Sequence, residues 1–163
     1  MNYQTSEMKK VLIITYYFPP AGGPGVQRWL KFTKYLPDFG IQPIVYIPEN
    51  PTYPIIDKEL QNEISDKVII LRKKIFEPYS LASFFSKNKT KKISSGIISS
   101  TKKQTILEKI FLWVRGNLFI PDARVFWVKP SVSYLEKYIK ENSITTVITT
   151  GPPHSLHLIG LQL

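Results

Sequence analysis

The sequence contains no cysteine among its 163 residues, so the chain can form neither a disulfide framework nor a thiol-based active site. This absence fits a reducing compartment such as the cytoplasm. No pair of acidic residues suggests a general acid and base, and no serine, histidine and aspartate form an evident triad. The only two histidines, His154 and His157, lack the third ligand that a metal site would need. We therefore expect neither self-contained catalysis nor a metal cofactor.

Acidic residues are scarce. The chain has 12 aspartates and glutamates against 22 lysines and arginines, which gives a net charge of +10. Such an excess indicates an anionic partner: a phosphorylated substrate, an acidic membrane surface or nucleic acid. The imbalance is strongest from Pro78 to Leu107, where no acidic residue occurs. This stretch contains six lysines among serine, threonine and glycine residues: Lys87, Lys89, Lys91, Lys92, Lys102 and Lys103.

This lysine-rich segment predicts a mobile basic loop at about residues 86–104, because it cannot bury enough apolar surface to become ordered. Aromatic residues flank the lysines and do not alternate with them, which favours an anionic membrane over nucleic acid as the partner. A solvated loop with no partner explains the same pattern. The apolar segment 106–119 is interpreted as a core helix, with membrane insertion as the alternative.

Long hydrophobic runs are absent as well. Residues Val11–Phe18 are too few for a membrane span or a secretory core, and Met1–Met8 is polar, so we expect no signal peptide and a frayed leader. A hydrophobic fraction of 43% with 21% charged residues is ordinary for a globular protein. We expect one domain covering residues 1–163.

The most informative stretch that is present begins with four apolar residues, Val11–Ile14, which predict a strand buried on both faces. A proline- and glycine-rich turn follows, and a helical pattern opens at Val26. Ligands bind outside the carboxyl ends of strands in open α/β sheets, where this turn would lie. Gly22, Gly23 and Gly25 allow the backbone to approach a ligand closely, and the amides of the next helix attract anions. The turn is a candidate cradle for a phosphate or sugar phosphate.

The glycine spacing matches neither the dinucleotide fingerprint nor the P-loop of nucleotide triphosphatases. A tight turn that only redirects the chain explains the glycines equally well.

The remaining pattern predicts an α/β fold, a Rossmann-like parallel sheet flanked by helices. Its further elements are strands over 43–48, 66–72 and 144–150, a short helix over 57–64, and helices over 26–36 and 130–141 and from Ser155 onwards. Trp29 and Trp127 are expected in the core.

A second glycine turn, from Gly151 to Ser155, follows the last strand and opens the last helix. The two turns would lie side by side and form one cleft. His154 would then project towards the cleft and bind a sugar hydroxyl or phosphate, although a lone histidine is usually a capping or packing residue. Arg28 and Arg124 are further candidates for binding an anion, with a solvated Arg28 and an ion pair between Arg124 and Asp122 as the plainer interpretations.

The order Tyr16–Pro20 followed by Gly22–Arg28 resembles the opening of family 4 retaining glycosyltransferases, which have the GT-B fold. The segments Pro121–Trp127 and Thr149–Ser155 are also similar to that family. The resemblance implies an N-terminal, acceptor-side domain whose glycine-rich loop reaches the diphosphate of a nucleotide-sugar donor. The resemblance implies no cofactor, because the nucleotide-sugar donor is a co-substrate.

Carried over residue by residue, the resemblance implies donor-diphosphate or substrate binding by Gly22, Gly23, Gly25, Gly151 and Ser155. It implies a catalytic role for His154 and acceptor-side roles for Arg28 and Arg124. Family members carry a second, nucleotide-binding domain with characteristic glutamates, which this sequence lacks. The chain is therefore expected to be half of a hexosyltransferase-type enzyme that makes cell-surface or lipid-linked glycans, and to be inactive alone. Its expected location is the cytoplasm, with contact to the inner face of the cytoplasmic membrane.

Two other functions stay open. The chain could be a stand-alone phosphate- or nucleotide-binding Rossmann module, or a peripheral membrane-binding adaptor that uses the six lysines.

Overall fold

The fold is built around the apolar strand β1 (Lys9–Thr15), whose residues Val11–Ile14 are at most 8% exposed. The computed structural model describes residues 8–76 and 120–163, together with Trp113 and Asn117. In these residues β1 pairs in parallel with two strands, β2 (Ile41–Pro48) and β4 (Thr146–Thr150), and β3 (Ile69–Lys73) pairs in parallel with β2. The described sheet has the order β3-β2-β1-β4, which confirms the predicted Rossmann-like α/β class.

The register of the strands separates the core into two layers. Leu12 pairs with Ile44, and both face one side of the sheet, whereas the next pair, Ile13 and Val45, faces the other side. Because all four strands are parallel, their carboxyl ends meet at one edge of the sheet, which we call the carboxyl edge. This edge is where the loops that follow the strands can meet a ligand.

One face of the sheet is covered by helix α1 (Pro24–Tyr35), which buries Val26, Leu30 and Thr33. A short 3-10 helix, Leu36–Phe39, continues α1 and ends at Gly40, which has a left-handed backbone (φ 71°). The sequence predicts Trp29 in the core, but this side chain is only half-buried. Its position on the helix places it beside the buried stripe instead of within it.

The opposite face is covered by helices α2 (Val128–Asn142) and α3 (Ser155–Gln162). Trp127 lies at the start of α2 and is 1% exposed, which confirms its predicted place in the core. Helix α3 packs closely on β4: a Cβ added at Gly160 would lie 2.4 Å from Cγ2 of Thr149.

Several element boundaries differ from the prediction. The short helix predicted over 57–64 is a 3-10 helix, Glu59–Glu63. The third strand begins three residues later than expected, because the N–H of Val68 closes a turn onto the carbonyl of Ser65. The fourth strand also begins later, because the N–H of Ile144 still binds the Ile139 carbonyl at the end of α2.

The lysine-rich segment, with the predicted loop at 86–104 and all six of its lysines, lies outside the described residues. The same holds for the predicted helix over 106–119 except for Trp113 and Asn117, which are both helical. Within the described part of the chain, no helix has both the length and the apolar character needed to cross a bilayer.

Candidate functional site

Two glycine turns meet at the carboxyl edge because the strands that precede them are neighbours. Thr15, the last residue of β1, pairs with Thr150, the last residue of β4. The β1–α1 turn and the β4–α3 turn therefore leave the sheet side by side, as the sequence predicts.

The β1–α1 turn is held in place by the segment 55–57. The N–H of Gly22 donates to the Ile55 carbonyl at 3.0 Å, and the N–H of Asp57 donates to the Pro20 carbonyl at 2.8 Å. A Cβ at Gly22 would lie 2.8 Å from Cγ2 of Ile55. Packing thus explains the glycine at this position, whether or not a ligand binds nearby.

The start of α1 has the features of an anion site. Gly23 precedes the helix with φ 116° and ψ 165°, a conformation that is essentially restricted to glycine, and it has no side chain with which to cap the helix. Gly25 is exposed, and a Cβ there would meet no atom within 4 Å in the described structure. Pro24 has no N–H, and the amides of Val26 and Gln27 both donate to the Gly23 carbonyl at 3.1 Å, so the Gly25 N–H is the amide that the first turn leaves for a ligand. An anion could accept hydrogen bonds here with the helix dipole behind them.

The start of α3 is different, because the protein supplies its own anion there. Asp122 Oδ2 accepts a hydrogen bond from the Ser155 N–H at 2.8 Å, and Oδ1 accepts one from the Ser155 hydroxyl at 2.8 Å. Ser155 is fully buried. These bonds give Ser155 a part in positioning α3, and its proposed contact with a donor diphosphate stays a prediction.

The sequence suggests an ion pair between Asp122 and Arg124, and the structure links the two residues through the backbone. Asp122 Oδ1 accepts a hydrogen bond from the Arg124 N–H at 2.9 Å. The Arg124 guanidinium instead lies over the ring of Tyr16, with Cζ 4.9 Å from the ring centroid, and Nη2 is 3.4 Å from the Tyr16 hydroxyl. Arg124 thereby places a half-buried cation directly beside the end of β1.

The residues under this cation form an aromatic network. Tyr16 is fully buried, and its ring contacts Tyr53 and Trp127 edge to face at 5.8 and 6.1 Å between ring centroids. Trp127 stacks on Tyr46 and donates its indole N–H to the Tyr46 hydroxyl at 3.2 Å. Burial raises the pKa of Tyr46 above its ordinary value. The network forms the packed floor beneath Arg124, and the raised pKa favours the neutral form of the Tyr46 phenol.

The second turn brings both histidines to the carboxyl edge. His154 and His157 are exposed, and their ring centroids are 6.1 Å apart. His157 Nδ1 lies 2.8 Å from the Thr149 hydroxyl. A Cβ at Gly151 would lie 2.9 Å from His157 Nε2, so an alanine at this position would require the exposed His157 ring to move. The sequence interpretation considered His157 only as a metal ligand and missed this contact.

The chain matches no family model, no curated protein and no solved structure. The resemblance to family 4 glycosyltransferases therefore depends on the sequence motifs alone. Within the described residues, no cluster of three or more histidine, cysteine or acidic side chains could hold a metal ion.

The remaining sequence candidate, Arg28, is exposed in the second turn of α1. Arg28 and Arg124 come from different elements, and Arg124 is the one that lies at the end of β1.

A cavity of about 570 Å³ opens beside the β1–α1 turn. Its walls combine apolar rings with polar side chains, among them Pro19, Pro20, Tyr53, Glu49, Gln61 and Arg72. The sequence interpretation missed this cavity, because its walls come from four segments that are distant in the chain. Only the prolines of the loop after β2 gave a local signal, and they indicated no more than a turn.

Proposed function

We propose that the chain is the acceptor-side half of a sugar-nucleotide-dependent glycosyltransferase that makes cell-surface or lipid-linked glycans, and that it is inactive alone. The observation that carries this proposal is the start of α1, where Gly23 and Gly25 leave open space and the Gly25 amide faces no acceptor of the helix, beside a second glycine turn at the carboxyl edge. This end of the helix coincides with the motif that resembles the family, Gly22–Arg28.

In this proposal the donor diphosphate binds at the start of α1, where Gly23 and Gly25 leave room for it. Backbone amides and the helix dipole offset its charge, and the cation of Arg124 adds to the positive potential at the end of β1. His154 hydrogen-bonds a hydroxyl of the sugar or a phosphate oxygen, and Gly151 keeps the backbone close. No metal or further cofactor takes part.

The acceptor binds on the same edge, and the cavity beside Pro19 and Pro20 supports this part of the proposal. Its volume of about 570 Å³ falls within the range of small-molecule sites. Arg28 lies in the second turn of α1 and Arg124 lies beside the end of β1, and either cation would favour an acceptor that carries phosphate or carboxylate.

The proposal is tested by a pair of glycine substitutions, one directly before α1 and one directly after the 3-10 helix that continues it. Gly23 and Gly40 both have positive φ, and at neither position would a Cβ meet an atom within 4 Å. Gly23→Ala and Gly40→Ala therefore both introduce backbone strain, on the order of 1 to 3 kcal/mol. Only Gly23 lies at the carboxyl edge. In the longer protein that this proposal requires, we expect Gly23→Ala to abolish sugar transfer, measured with a panel of nucleotide sugars and lipid-linked acceptors, and Gly40→Ala to retain it.

Equal losses of transfer in the two variants would assign the turn a purely structural role. His154→Ala, which changes an exposed side chain, separately tests the catalytic role of this histidine. Transfer that survives the loss of the imidazole would remove His154 from the site.

A stand-alone nucleotide-binding module is the second candidate. The start of α1 favours it, because this end of the helix can bind a phosphate without a second domain. Calorimetric titration of this chain with UDP, GDP and inorganic phosphate distinguishes the two functions. Binding that weakens at least about tenfold in Gly23→Ala and not in Gly40→Ala would support the module. The absence of measurable heat at millimolar nucleotide would exclude it. The third candidate, a membrane adaptor that uses the six lysines, stays a prediction.

A further inference from the structure

The outward surface of α1 carries aromatic side chains, where a surface helix normally carries polar ones. Phe32 and Tyr35 are 53% and 52% exposed, and Phe39 in the following 3-10 helix is 79% exposed. Trp29 packs edge to face on Phe32, with ring centroids 5.5 Å apart. We call these four residues the aromatic ridge.

The spacing of the residues explains why the ridge faces outwards. Phe32 and Tyr35 are three residues apart and thus lie on one side of the helix. Val26 and Leu30, which pack on the sheet, occupy the other side. The ridge is convex, because it is the outer surface of a single helix, so it does not form a groove for a peptide.

Positive charge accompanies the ridge. The sequence of α1 contains Arg28, Lys31 and Lys34 and no acidic residue. Lys31 pairs with Glu63, and this hydrogen bond raises the pKa of Lys31. Arg28 and Lys34 are exposed, and Lys34 Nζ lies 6.0 Å from the Tyr35 ring centroid. Asp38, in the 3-10 helix, is the one acidic residue from Pro24 to Phe39.

We propose that the aromatic ridge docks the protein on an anionic lipid bilayer. Aromatic side chains favour the boundary between headgroups and acyl chains, and a convex ridge can enter a fluid surface without a complementary groove. Lys34 then contacts lipid phosphates, and Arg28 adds to the positive potential of this surface. This surface is separate from the six lysines of the lysine-rich segment, and the proposal does not depend on the glycosyltransferase function.

The direction of α1 makes such docking compatible with a working site. The helix starts at the carboxyl edge and ends where β2 begins, so Tyr35 and Phe39 lie towards the opposite edge of the sheet. A bilayer bound to these residues leaves the glycine turns and the cavity accessible.

The test measures cosedimentation of the full chain with phosphatidylcholine vesicles that contain or lack phosphatidylglycerol. We expect binding to the anionic vesicles, and a decrease of at least about tenfold in the partition coefficient of the double variant Phe32→Ser/Phe39→Ser. The matched control is Ile120→Ser/Leu161→Ser, which removes two side chains that are 67% and 81% exposed and lie outside the ridge. The control variant should bind as the natural chain does.

Because the lysine-rich segment can attract the same vesicles, a second measurement follows insertion directly. In a Trp113→Phe background, which removes the exposed tryptophan outside the ridge, brominated lipid should quench part of the tryptophan fluorescence, and this part should disappear when Trp29→Phe is added. Unchanged partition of the ridge variant, or quenching that persists in Trp29→Phe/Trp113→Phe, would overturn the proposal. The same holds if the ridge substitutions abolish self-association in sedimentation experiments without affecting vesicle binding, since the occupant would then be a second copy.

Discussion

Asp122 shows how one side chain can join two distant parts of the chain. Its carboxylate binds the N–H and the hydroxyl of the buried Ser155 and, at the same time, the N–H of Arg124. The segment that positions Arg124 over Tyr16 and the first turn of α3 are thus fixed by the same group. The structure gives Asp122 an architectural role at the candidate site, even though it is an acidic residue at the carboxyl edge.

Replacement of Asp122 by alanine should destabilise the chain by about 1 to 3 kcal/mol, because the buried donors of Ser155 lose their acceptor. The measurement is the free energy of unfolding in urea. Asp57→Ala is the matched control: Asp57 accepts a comparable hydrogen bond, from the Glu59 N–H at 3.1 Å, at an exposed site. Its loss should cost at most about half as much. Equal losses of unfolding free energy in the two variants would mean that the Asp122 hydrogen bonds stabilise the fold no more than the exposed hydrogen bond of Asp57 does.

At the scale of elements, the two helices that open at the carboxyl edge differ in how they use glycine. Gly160 lies inside α3, where Thr149 of β4 approaches closely, whereas Gly25 lies in the first turn of α1, next to open space. Glycine at 160 is required by packing of helix on sheet. Glycine at 25 has no such structural reason among the described residues, which is why we connect it with a ligand.

The two glycines therefore predict opposite effects on stability. Gly160→Ala should lower the free energy of unfolding by about 1 to 3 kcal/mol, because its Cβ would overlap Cγ2 of Thr149 and force a shift. Gly25→Ala should leave stability unchanged or raise it by up to about 1 kcal/mol, because alanine favours a helix. Thermal and urea denaturation check both values. A destabilised Gly25→Ala variant would show that this glycine serves the fold.

At the scale of the whole molecule, the sequence predicts what depends on local pattern. The run Val11–Ile14 identifies the central strand, and the placement of both glycine turns follows from strands that are parallel and adjacent. Contacts between distant segments give no such signal. The Asp122 bonds to Ser155 span 33 residues, and the cavity collects side chains from four segments. The aromatic ridge has no local signal for another reason. Basic residues opposite the buried stripe of α1 already satisfy the amphipathic pattern, and this pattern does not reveal that Phe32 and Tyr35 between them are exposed.

The pairing of β1 with β4 also has a consequence for how the protein is made. Val11 and Thr146 are partners in the sheet although most of the chain separates them. During synthesis, β1, α1 and β2 can associate as soon as they leave the ribosome, but one side of β1 stays unpaired until β4 has been translated. The second glycine turn and both histidines follow β4 in the sequence, so they are translated after all the other parts of the candidate site. A nascent chain that stops before Thr146 therefore contains the glycine turn that opens α1 but lacks the second turn that lies beside it.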